Sequence, residues 1–187
     1  TGVLRIAPAA TAAITNTVYL ARHLSNAGTL VWQSGTIVLT NVAGTDAHLD
    51  NHATFEIRDG SNAYAPCCTA HPTITNRPGA TITKTTAGVS TLGSGGSELI
   101  NDGTIEIGSA STLSVGNVFT QGATGRLDLS LAGTTGGTTH GRLLVPGVAT
   151  LDGTIASTAA GGFEPSDGDE FLVLDAGSLS GTFATVD

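Results

Sequence analysis

Short apolar alternations recur along the chain behind a fixed polar marker. Asn26, Asn51, Asn76 and Asn101 stand 25 residues apart, each with an aliphatic residue two positions earlier (Leu24, Leu49, Ile74 and Leu99). A step rich in Gly, Ala and Thr follows, then an apolar strand, as in LSNAGTLVW, LDNHATFEI, ITNRPGATIT and LINDGTIEI. Leu30, Phe55 and Ile105 lie four residues beyond their asparagines, and Trp32, Ile57 and Ile107 six beyond. Val31, Glu56 and Glu106 fall between them. A period of two therefore turns the first two sets to one face and the third set to the other. The third copy carries two extra residues, Arg77 and Pro78, which move its strand to Ile82 and Lys84. A fifth copy, FTQGATGRLDLSL, begins 20 residues after the fourth and puts Gln121 in the asparagine position, ahead of Leu127, Asp128 and Leu129.

A repeat of this length holding short strands predicts a stacked architecture, one turn of a β-solenoid per copy. The expectation is an all-β, single-stranded parallel β-helix of about seven or eight coils, each of roughly 20–25 residues. By the general rule for parallel crossovers it should be right-handed. Successive coils would lie about 4.8 Å apart, so a polar residue repeated at each corner stacks on its own kind. Asn26, Asn51, Asn76, Asn101 and Gln121 are accordingly expected to form an internal amide ladder, each side chain donating to the next carbonyl. One domain spanning 1–187 is expected, with regular coils over 1–140 and terminal coils or a cap over 141–187. In that last part, strands are expected at Phe171–Leu174 and near Thr182–Val186. The lack of a recognisable leader or end signal reads as a piece of a longer mature protein.

Composition agrees with strands and turns. Glycine is abundant at 26 residues, aromatics make up 4% and charged residues 12%. No long stretch has helical caps and period. The net charge of −8, with Lys84 as the one lysine and scattered arginines, disfavours nucleic acid, which needs clustered cations. No apolar run approaches the ~20 residues of a membrane span. The two cysteines, Cys67 and Cys68, are neighbours; a bridge between them would distort the peptide joining them.

The end of the chain carries a family pattern. LLVPGVATLDGTI, followed by GFEPSDGDEFLVLDAGSLSGTF, resembles the terminal coils of bacterial autotransporter passengers and related secreted, adhesin-like parallel β-helix proteins. The resemblance covers residues 141–187 closely and the N-x-G-T-[LI] coils more loosely. It implies a right-handed parallel β-helix, exported and displayed at a cell surface. Nothing in these residues matches a catalytic motif of the family.

Candidate chemistry is sparse. The segment SNAYAPCCTAHP (61–72) is the clearest loop extruded from the coils, and Arg58, Asp59, Tyr64, Cys67, Cys68 and His71 on and beside it are the candidate binding residues, since loops on rigid scaffolds commonly carry function. His23 and His48 also stand 25 apart, which stacks them on adjacent coils, with Thr73 and Glu98 continuing the column. Two imidazoles fall short of the three or four ligands of a zinc site, and no metal site is assigned. Glu56, Glu106 and Asp128 share an outward strand face. A glycosidase needs two carboxylates roughly 5–9.5 Å apart across a groove, and the aromatics to furnish a sugar cleft are scarce, so no catalytic residue is assigned. Asp167, Asp169 and Glu170 suit calcium chemically but lack a calcium-repeat motif, and no cofactor is expected. A threonine array for ice is broken in the column Val31, Glu56, Thr83, Glu106, Asp128. The expected role is a non-catalytic, secreted or surface module, adhesin-like or a rigid stalk, whose partner is an extracellular protein or glycan. The competing classes are a carbohydrate-binding or polysaccharide-degrading β-helix and a plain spacer. Oligomeric state is not legible.

Overall fold

The computed structural model describes residues 2–42, 44–58, 62–65 and 71–187. Among them there is no α-helix, hence no helix long and apolar enough to cross a membrane. The strands stack as a parallel β-solenoid with three faces. One face runs through Leu4–Ile6, Leu24–Asn26, Leu49–Asn51, Thr73–Asn76, Glu98–Asn101 and Val118–Gln121. The second runs from Thr11–Ile14 through Thr29–Trp32, Thr54–Ile57, Thr81–Lys84, Thr104–Ile107, Arg126–Leu131 and Thr154–Ala159 to Thr185–Val186. The third holds Val18–Leu20, Ile37–Leu39, Asn62–Tyr64, Gly88–Ser94 and Ser111–Val115. The long strand Arg142–Leu151 pairs with both Ser111–Val115 and Val118–Gln121, closing the corner between the third and first faces.

Equivalent residues meet rung on rung, as the repeat requires. Leu24, Leu49, Ile74, Leu99 and Phe119 are consecutive Cα partners and are all buried. Leu30, Phe55, Ile82, Ile105 and Leu127 form a second buried column across the corner. Each such side chain contributes about 1.5–3 kcal/mol by leaving water, and no helix is needed to cover it because the coil encloses it. Trp32 is fully buried, stacked on Phe55 at 6.3 Å between ring centroids, with its indole N–H on the Gly35 carbonyl. Lys84 occupies the same inward column and is fully buried too; its Nζ donates to the carbonyl and hydroxyl oxygens of Thr86.

The corner amides form a continuous ladder. Asn26 Nδ2 donates to Asn51 Oδ1 at 2.7 Å, Asn51 to Asn76 at 2.8 Å, Asn76 to Asn101 at 2.8 Å and Asn101 to Gln121 Oε1 at 3.2 Å. Each amide also donates to a backbone carbonyl of the next coil: Thr54, Thr81, Thr104, Arg126 and Thr154 in turn. The ladder ends at aliphatic residues, Ile6 below Asn26 and Leu151 in the coil above Gln121. At its lower end Asn26 Oδ1 takes the Gly28 N–H; at its upper end Gln121 Nε2 finds carbonyls.

Corner length varies without breaking this geometry. The two-residue insertion at Arg77–Pro78 makes a turn, closed by the Ala80 N–H on the Arg77 carbonyl, and Gly122–Gly125 repeats it. A short corner that rests on a long one must be glycine: a Cβ on Gly103 would stand 2.5 Å from the Arg77 carbonyl oxygen. Coil length ranges from 18 residues between the partners Thr11 and Thr29 to 31 between Thr154 and Thr185, a wider spread than the expected 20–25.

Two details differ from the sequence expectation. Residues 141–187 continue the stack, with a register shift between Val145 and Val148, but the strand expected at Phe171–Leu174 lies at Leu174–Gly181, with Phe171 outside it. The GSLSG segment reads as a turn, yet Gly177 is the residue that lets this strand pass the Pro146 carbonyl. Second, the adjacent outward column is threonine: Thr11, Thr29, Thr54, Thr81, Thr104, Thr154 and Thr185, interrupted by Arg126. Five residues of this column, Thr54 through Thr154, supply the carbonyls that receive the ladder amides, so β-branched residues here hold extended backbone at the acceptor.

The ladder predicts a position-dependent cost. Asn76→Ala removes the donor to Asn101 and to the Thr104 carbonyl and the acceptor for Asn51, and should destabilise by about 2–4 kcal/mol. Asn26→Ala, at the ladder's end, should lower the urea midpoint less. Equal midpoints for the two variants would contradict the ladder.

Candidate functional site

A projection stands at the corner between the third and first faces. In one coil, Asn41–Val42 and Thr45–Asp46 pair as an antiparallel hairpin. Asn41 makes this turn: its Oδ1 accepts the Gly44 N–H at 3.0 Å and its Nδ2 donates to Asp46 Oδ1 at 2.5 Å. Gly44 has φ +79°, a value that suits glycine. Asp46 Oδ2 then accepts the His71 N–H at 3.0 Å, 25 residues along and one coil up. The hairpin is thereby tied to the end of the 61–72 segment.

Beside the hairpin lies a cluster that spans three coils. Asp50, with a side chain 10% exposed, holds Arg77 through Nε at 3.1 Å and Nη2 at 2.6 Å. His23 Nε2 lies 2.5 Å from the other Asp50 oxygen. That contact is off the direction a ring N–H would take, so it is a charge contact when the ring is protonated and not a directed hydrogen bond. His23 and His48 meet edge to face at 6.3 Å, the stacking their 25-residue spacing predicts. His48 Nδ1 accepts the Thr73 N–H at 3.2 Å and lies 3.0 Å from Thr73 Oγ1. A cleft of about 540 Å³ opens between this cluster and the hairpin, lined by Val3, Arg22, His23, Val42, Asp46 and His48 among others.

The predicted loop residues are distributed differently. Arg58 turns to the second face, where it grips Glu56 through Nε at 2.8 Å and Nη2 at 3.0 Å. Tyr64 belongs to the stacked strand Asn62–Tyr64, whose Ala63 is fully buried opposite Ile37; residues 62–64 are therefore part of the coil and not of an extrusion. His71 stands at the hairpin corner. Asp59, Cys67 and Cys68 lie outside the described residues. The structure joins none of Arg58, Tyr64 and His71 to one another by a hydrogen bond or ion pair.

The outward acids of the second face have their own arrangement. Glu106 and Asp128 are Cα partners on neighbouring rungs. Arg126 lies beside them, with Nε 2.7 Å from Asp128 Oδ1 and Nη1 2.9 Å from Asp187 Oδ2. They line a shallow depression of about 250 Å³ with Thr85, Ser130 and Thr158. In the 166–170 turn, Asp169 Oδ2 takes the Ser166 N–H at 2.8 Å, capping its own turn. Among the described residues no three His, Cys, Asp or Glu side chains converge as a metal site.

Sequence reasoning missed the Asp50–Arg77–His23 cluster because it runs diagonally across coils. The signal was present: each residue sits within three positions of a ladder asparagine. It also missed His140, which is fully buried, with ring nitrogens 3.2 Å from the Gly133 and Leu172 carbonyls and its ring edge-on to Phe171. His140 thus fastens the 163–173 segment to the coils.

Asp46 supplies a pH test of the hairpin. The Asn41 amide first, and then the His71 N–H, hold its carboxyl below the ordinary range. A depressed carboxylate stabilises the fold above its unfolded pKa, and that contribution is lost as pH falls through the folded value. The anchor is complete at neutral pH and is released in acid, below about pH 4. Asn41→Ala should move the Asp46 midpoint upward toward the ordinary range in an NMR titration, with the His71 amide shift following it. An unmoved midpoint would contradict the assignment.

No family model matches the chain, and neither a curated protein nor a solved structure is similar to it at a significant level.

Proposed function

We propose that the chain is a non-catalytic binding module of a secreted or surface-displayed bacterial protein, with the solenoid as a rigid arm and the hairpin corner as its contact region. The observation that carries this reading is the Asp46 to His71 link, which braces the hairpin of one coil against the backbone of the next beside an open cleft. Bracing matters because a preorganised loop loses less entropy on binding. A rigid stack supports presentation at a distance: the ladder and the inward columns run without interruption from coil to coil. The resemblance of residues 141–187 to autotransporter passenger coils supports export and an adhesin-like setting.

A polysaccharide hydrolase on the same scaffold is less well supported. Its two acids would be Glu106 and Asp128, but Asp128 is engaged by Arg126 and the surrounding depression is shallow. No aromatic ring lines it to stack on a sugar.

Glycan and extracellular-matrix arrays test the proposal. The intact chain should give reproducible hits that fall at least tenfold when residues 42–45 and 66–70 are replaced by short Gly/Ser turns, with the urea midpoint kept. Hits that persist unchanged in this variant would remove the corner as the contact region. An array without hits would leave the chain a spacer.

A further inference from the structure

The cleft beside the hairpin uses its polar groups unequally. One oxygen of Asp50 is taken by Arg77 and the other faces His23 Nε2 at 2.5 Å. Both oxygens of Asp46 are taken as well, by the Asn41 side chain and the His71 N–H. The acids of the wall are thus engaged within the protein. The donors are not. His48 receives the Thr73 N–H at Nδ1, so in the neutral ring the proton sits on Nε2 and is available to a ligand. Arg22 lines the same cleft, is exposed, and makes no ion pair among the described residues. Thr45 adds a hydroxyl. Val3 and Val42, 44% and 51% exposed, add apolar surface on the same walls.

A ligand for this cleft must bring acceptors for a guanidinium and an imidazole N–H, together with a face of C–H groups. A guanidinium pairs with a carboxylate or a phosphate through two parallel hydrogen bonds; of the two, the singly charged carboxylate matches one arginine in an otherwise acidic protein. The volume of about 540 Å³ lies within the range of small-molecule sites and exceeds what a bare anion fills. The net charge of −8 and one arginine in the lining argue against a densely sulfated polyanion, which needs a track of cations.

We propose that this cleft binds a carboxylated sugar, a hexuronic acid unit of an acidic glycan. Its carboxylate lies on Arg22, a ring or hydroxyl oxygen on His48 Nε2, and its apolar face against Val42. This inference rests on the binding-module reading and specifies the ligand class of that same corner.

The test is saturation-transfer NMR and calorimetry on the whole chain at pH 7 and low salt, with glucuronate, glucose and acetate as separate probes. Glucose lacks the carboxylate, and acetate lacks the ring. Glucuronate should bind, with glucose and acetate each at least tenfold weaker. Arg22→Ala should weaken glucuronate at least tenfold without moving the urea midpoint, since the side chain is exposed. Arg22→Lys should recover part of the loss, and His48→Ala should weaken binding about threefold with glucose affected in proportion. Equal binding of glucose and glucuronate, wild-type affinity in Arg22→Ala, or no glucuronate binding at millimolar concentration would each overturn the proposal. Array hits that survive Arg22→Ala but vanish with the loop replacement would overturn it while leaving the binding module standing.

Discussion

A carboxamide buried at the same corner of successive coils is the constraint on which the rest of this fold depends. An unpaired amide in such a place costs about 1–3 kcal/mol, so each Asn must find its partner in the coil above or the stack loses more than the corner contributes. Rung-on-rung register is the geometry that satisfies all of them at once. The Asn76 amide cannot reach both Asn101 Oδ1 and the Thr104 carbonyl unless its own strand and the next are in phase. The same phase aligns Leu49, Ile74 and Leu99 inside, so polar and apolar requirements select one register. A slip by one residue would expose the apolar columns and orphan the amides together.

That strictness at one corner leaves freedom at the others. Coils differ in length; the ladder corner admits only the tight Arg77–Ala80 and Gly122–Gly125 turns among its longer forms, while larger additions leave the stack between the second and third faces or between the third and first. The hairpin at residues 41–46 is such an addition, held by Asn41 and Asp46 instead of by the core. Function is free to occupy such places because the ladder does not pass through them. The charged cluster His23–Asp50–Arg77 lies on the outer side of the ladder strands, so its positions inherit the precision of the stack while their side chains remain partly in water.

What could be read from the sequence follows from the same division. Asn26, Asn51, Asn76, Asn101 and Gln121 were legible because a ladder demands identical chemistry at a fixed interval, and so were the inward columns, Lys84 included. Contacts that cross coils on a diagonal, such as Asp50 with Arg77, leave no periodic trace. The strand at Leu174–Gly181 was hidden by its Gly and Ser residues, which signal a turn unless the Pro146 carbonyl against which Gly177 packs is known. The threonine column was masked by the alternation of the strand, which sets the mixed positions Val31, Glu56, Thr83, Glu106 and Asp128 on the same outward face. Arg58, Tyr64 and His71 are close in sequence, yet they belong to three different faces or corners of the coil. Proximity along a solenoid coil does not imply a shared site.

Hydrogen exchange at the side-chain amides tests the ladder most directly. If each carboxamide is held by the next, the Nδ2 protons of Asn51, Asn76 and Asn101 will exchange far more slowly than those of an exposed asparagine such as Asn16, and at rates close to the core strand backbone amides. Exchange of these side-chain protons as fast as Asn16, in a chain whose backbone amides remain protected, would contradict the account.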